Sequence, residues 1–177
     1  MRRRDLLVGI GSVGVVGGGF AATRRSGSGT PFGRSDPDES VAPVSVETLD
    51  APGSEAGRID VPRPGETTVL ELFATWCSTC ASYMTTLRTV NEAVDAAFVS
   101  LTNEPVGVSV DRADVVDWWR EHDGAWPVGL DDELALTTSL DAGSVPYTVV
   151  FDDAGRIAYA DAGSMEASRL TAIIKNA

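Results

Sequence analysis

Cys77 and Cys80 are the only cysteines of this 177-residue chain, and they stand two residues apart in Trp76-Cys77-Ser78-Thr79-Cys80. Two thiols at that spacing can alternate between dithiol and disulfide, provided one of them is available as a thiolate. Residues 68–75 before them form an apolar run, and Tyr83, Met84, Leu87, Val90 and Val94 after them recur at helical spacing. The pair therefore falls where a strand gives way to a helix. Unpaired backbone N–H groups and the macrodipole at a helix N-terminus favour an anion, so Cys77 is expected to ionise below the roughly 8.5 of a free thiol. Cys80 lies one turn further in, close enough to attack a mixed disulfide on Cys77. These positions make Cys77 the nucleophile and Cys80 the resolving thiol.

Other uses of the pair are weaker. A structural bridge between them would close a very short loop and constrain the unfolded chain little. Zinc needs about four ligands, whereas there is no third cysteine and the single histidine, His122, lies far along the chain. Covalent haem attachment requires a histidine after Cys80, where Ala81 stands.

The elements that must position the dithiol can be read from patterning. Residues 44–51 and 57–62 alternate apolar and polar around Pro52-Gly53-Ser54, which predicts an N-terminal β-hairpin. A buried strand over 67–73 and a helix over 79–96 follow, then a strand over 97–101. A polar loop around Asn103-Glu104-Pro105 leads to a helix near 111–122, with Asp111 or Asp114 as N-cap and Gly124 beyond its end. A short strand at 128–130, a short helix at 133–140, a hairpin of strands 147–151 and 156–160, and a closing helix at 167–175 complete the chain. The expected class is α/β: a mixed central sheet with helices on both faces.

With 43% hydrophobic residues there is enough apolar material for one globular domain. The net charge of −12 is unevenly placed: residues 1–43 hold six arginines and four acids, leaving eight basic against 22 acidic residues beyond. A nucleic-acid partner is excluded by that balance. Arg supplies 13 of the 14 basic residues and Asp outnumbers Glu by 16 to 10, a composition that resembles proteins of salt-loving archaea.

Residues 1–25 read as an export signal or membrane anchor, a basic cluster followed by the uncharged stretch 6–23. Arg3-Arg4-Asp5-Leu6-Leu7 resembles the twin-arginine pattern. Gly19-Phe20-Ala21 is a poor cleavage site and no lipobox cysteine exists, which favours an uncleaved anchor over secretion after cleavage. Residues 26–43, rich in Gly, Ser, Pro and Asp, form a flexible linker, and 44–177 the folded domain, expected to be a monomer outside the cell.

WCSTC at the strand-to-helix junction, Val145-Pro146-Tyr147-Thr148 and the hairpin VVFDDAGRIAY together resemble the thioredoxin-like fold, and specifically its TlpA/ResA-like extracytoplasmic branch, over about residues 44–177. The family's "FWATWCxxC" is matched by Leu72-Phe73-Ala74-Thr75-Trp76-Cys77, and its "PTTFLID.DG.I" by the segment from Pro146 to Ile157. The resemblance implies a thiol:disulfide oxidoreductase without a cofactor or metal, acting on extracytoplasmic proteins that carry disulfides or thiols, apocytochromes among them, and served by a membrane electron donor. It implies that Pro146 is a cis-proline beside the dithiol and that the Val145 backbone pairs with an extended substrate segment. Glu71, six residues before Cys77, matches the buried acid of thioredoxins and would take the proton from Cys80; the alternative is an outward-facing strand residue. Trp76 is expected to shield the dithiol and contact partners, with core packing as the alternative, while Trp118, Trp119 and Trp126 are expected to be packing residues. His122 is expected near a helix C-terminus, without a catalytic partner.

Two further functions compete. A peroxiredoxin-like peroxidase would carry a lone-cysteine TxxC pattern, whereas Trp76-Cys77 stands here. A Sco-type copper-binding module would need a C-x3-C spacing and a distal histidine that His122 does not match. Ser78 and Thr79 replace the x-Pro found between the cysteines of many relatives, and such residues tune a potential that spans about −270 to −120 mV.

Overall fold

The structure, a computed structural model, describes residues 40–177; the expected export segment and most of the expected linker lie outside them. Seven strands form one sheet in the order β2-β1-β5-β4-β3-β6-β7. The hairpin expected at the start of the domain is β1 (Val44–Thr48) and β2 (Gly57–Val61), paired antiparallel and joined to the sheet through β5 (Val128–Leu130). At the centre β3 (Thr68–Phe73) runs parallel to β4 (Ala97–Thr102) and antiparallel to β6 (Tyr147–Phe151), with β7 (Ile157–Ala162) at the far edge. This is the expected mixed thioredoxin-like sheet.

Every residue of β3 is buried, because both faces of the central strand are covered. Val69 and Phe73 point to one face, where they pack with α1 (Ser78–Asn91), α2 (Arg112–Glu121) and α4 (Ala167–Ile174) through Cys80, Met84, Leu87, Trp119 and Leu170. Leu70 and Leu72 point to the other, against Leu136 of α3 (Ala135–Ser139) and Leu140 beyond it. Trp118, Trp119 and Trp126 are core residues, as their spacing predicts; Phe73 stacks on Trp118 with centroids 4.7 Å apart, and Trp119 meets Trp126 edge to face at 5.1 Å.

Two boundaries differ from expectation. The first helix stops at Asn91 rather than 96, where Ala93 N–H turns back to the Val90 carbonyl at 2.9 Å and the chain must drop onto β4; Val94 still packs, half-buried, against the core. At the N-terminal end, ordered pairing begins in the stretch that composition assigns to the linker: Ser40 bridges Arg156, and Val41 N–H donates to Gly155 O at 2.9 Å in the β6–β7 turn. Among the described residues, no helix is long and apolar enough to cross a membrane.

Candidate active site

The dithiol end of the molecule is the C-terminal end of β3. After Phe73 the chain makes one turn, closed by Cys77 N–H on Ala74 O at 3.0 Å, and enters α1 with Cys77 as its N-cap. Cys77 and Cys80 form a disulfide with Cα atoms 5.2 Å apart. The Cys77 sulfur also receives the Cys80 backbone N–H at 3.1 Å, so it occupies the place where a helix start accepts an anion or cap. The two cysteines differ in burial: Cys80 is wholly buried, whereas Cys77 retains 6% exposure. Beside them Trp76 stands 74% exposed, which rules out core packing for it.

Pro146 follows a cis peptide bond from Val145, the conformation that the resemblance implies; Val61–Pro62 is a second cis bond that no motif foreshadowed. Val145 is half-buried against both core clusters, and β6 starts directly after Pro146, pairing Tyr147 with Leu72 near the end of β3.

Glu71 is buried, at 1% exposure, not outward-facing. Strand alternation puts it on the same face as Val69 and Phe73, the face on which α1 lays Cys80, Tyr83 and Met84. Its register partners are Ser100 on β4 and Thr148 on β6. Ser100 Oγ donates to Glu71 Oε2 at 2.9 Å and itself accepts the Trp126 indole N–H at 2.9 Å. Glu71 Oε1 has no partner among the described groups. Desolvation pushes the Glu71 carboxyl up to about 8, moderated by the Ser100 bond, and burial likewise raises the Tyr83 phenol to about 12. A carboxyl held near neutrality can accept a proton and return it.

A second buried acid, Glu104, is absent from the sequence-derived site. It follows β4 at 7% exposure and receives Thr75 N–H on Oε2 at 2.6 Å, Thr75 Oγ1–H on Oε1 at 3.0 Å and Thr102 Oγ1–H on Oε2 at 3.1 Å. Its sequence signal is one acid in a polar loop, which carries no hint of the contact. His122 caps the C-terminus of α2, stacked on Trp118 at 4.4 Å with Nδ1 2.8 Å from the Trp118 carbonyl, and takes no part in the site. Among the described residues, no three His, Cys, Asp or Glu side chains gather into a metal-holding group.

A family model described as Redoxin matches residues 41–174, nearly the whole described chain. The chain belongs to the Redoxin family. Among solved structures this Redoxin-family domain is similar to StoA from Bacillus subtilis, at 20% identity and a TM-score of 0.63 over 75% of this chain and 96% of that one. It is also similar to the pneumococcal exposed lipoprotein thioredoxin Etrx1 of Streptococcus pneumoniae, at 21% identity and 0.63 over 77% and 100%. A third is a secreted Mycobacterium tuberculosis disulfide oxidoreductase described as homologous to E. coli DsbE, at 16% identity and 0.62 over 76% and 96%. At these identities the likeness is one of fold. Family, thioredoxin-like fold and a Cys77–Cys80 disulfide together are those of a thioredoxin-like redox enzyme.

Proposed function

We propose that this chain is an extracytoplasmic thiol:disulfide oxidoreductase of the TlpA/ResA-like branch that reduces or exchanges disulfides in partner proteins, apocytochromes among them. The observation that carries it is the unequal burial of the two cysteines at the helix N-terminus, Cys77 keeping slight exposure where Cys80 has none. In the reduced enzyme the Cys77 thiolate attacks one sulfur of the partner's disulfide; the partner's S–S bond breaks and its other sulfur leaves with the electron pair. Cys80 then gives its proton to Glu71 and attacks Cys77, forming the Cys77–Cys80 disulfide and releasing the partner's second thiolate. Two electrons pass to the partner, and the reverse sequence oxidises it. The Val145 backbone would hold the partner segment as an added strand, and Trp76 would cover its cysteine.

Location outside the cell rests on residues 1–25 as twin-arginine-type signal or anchor and 26–43 as linker, with a membrane donor restoring the dithiol. The acidic, arginine-biased composition supports a haloarchaeal origin. Fold neighbours described as secreted or as an exposed lipoprotein support the same location. The test is a Cys80→Ser trap: partners are expected to accumulate as mixed disulfides on Cys77 that dithiothreitol releases, and absence of any adduct refutes the exchange mechanism. The proton step has its own test. Resolution of the mixed disulfide should quicken as pH rises towards about 8 and then level; Glu71→Gln should slow it at least about tenfold and remove that inflection. An unaltered pH profile excludes Glu71 as the base.

A further inference from the structure

We propose that Glu104 is a positioning residue for partner recognition, holding Trp76 in place through Thr75 while leaving the reactivity of Cys77 to the helix. The inference rests on the oxidoreductase reading above and deepens it. Trp76 is 74% exposed, so little packing fixes its indole. What fixes its backbone is the residue before it: both donors of Thr75, the N–H and the hydroxyl, end on the buried Glu104 carboxylate, whose third donor, Thr102 Oγ1–H, ties it to the end of β4. Cys77 has further anchors in the helix, the Ala81 N–H bond to its own carbonyl at 3.1 Å and the Cys80 N–H bond to its sulfur at 3.1 Å, while its N–H bond at 3.0 Å goes to Ala74 O, on the peptide whose N–H Glu104 holds. Cys77 thus keeps helix bonds in which Glu104 takes no part. Three donors converging on two oxygens require a carboxylate, since a glutamine would turn an NH2 group towards a donor and lose at least one bond.

The test is a double-substitution cycle on the full chain with two oxidants of the reduced dithiol: insulin as a protein disulfide and 5,5′-dithiobis(2-nitrobenzoate) as a small one. Glu104→Gln is expected to lower kcat/KM for insulin about fivefold, through KM, and to leave the small-disulfide rate within about twofold. Trp76→Ala should itself raise KM for insulin, and the double variant should be no worse for insulin than Trp76→Ala alone. Thr75→Val, which removes only the hydroxyl arm, should give a smaller loss of the same kind and replaces Glu104→Gln if that variant does not fold. Additive losses, or equal losses with both oxidants, overturn this inference alone. A parent protein inert to both oxidants overturns the oxidoreductase reading, and this inference with it.

Discussion

Glu71 and Glu104 are both buried glutamates, one in the middle of β3 and one just past the end of β4, yet their surroundings differ. Glu71 has a single donor, Ser100, and one oxygen with no partner, so desolvation dominates and its carboxyl is pushed up to about 8. Glu104 collects three donors from Thr75 and Thr102 and clamps a loop. Burial makes any carboxylate costly; the number and identity of its donors decide whether it becomes a store for a proton or a structural tie.

The largest effect that could break this comparison is in the pH dependence of stability. Glu71 titrates near 4.5 when unperturbed and near 8 in the folded protein, so between those values the folded state binds the extra proton. Stability should therefore fall as pH rises through that window, by up to about 1.4 kcal/mol per unit, and level above it. Urea unfolding of Glu71→Gln at several pH values should show the slope flattened and the variant more stable than its parent at pH 9; an unchanged slope means that Glu71 is not the proton store. Next in size, Glu104→Gln should destabilise by about 1–3 kcal/mol, because a partly buried donor on Thr75 or the buried Thr102 hydroxyl loses its acceptor. A neutral result in the same assay would show that the three-donor clamp is not holding the loop. The smallest shift is expected for Ser100→Ala. Removing the one donor to Glu71 should raise its titration further, by up to about one unit, read from the infrared carbonyl band of the protonated acid. The Trp126 indole N–H loses its acceptor in the same variant, so a modest loss of stability should accompany the shift.

The dithiol end was legible because its signals are local. Two cysteines at fixed spacing after an apolar run and before a helical period locate Cys77 at a helix start without tertiary information. Glu71 was visible as the one charge in a strand, but its burial was not decidable, since alternation disappears in a central strand covered on both faces. Glu104 was illegible for a different reason. Its partner Thr75 lies 29 residues away and reaches it only because β3 and β4 end side by side in a parallel pair, a register that neither segment encodes alone. The end of α1 was overestimated because the apolar period runs on through Val94 after the backbone has already turned.

The chain enters the domain where Val41 and Ser40 pair with Gly155 and Arg156. That turn follows Phe151, which is paired with Thr68 at the start of β3, whereas Cys77 follows the other end of the same strand. The point of attachment and the reactive sulfur thus sit at opposite poles of a six-residue strand, about 20 Å apart. A partner that reaches Cys77 therefore meets the domain at the pole far from Ser40 and Val41.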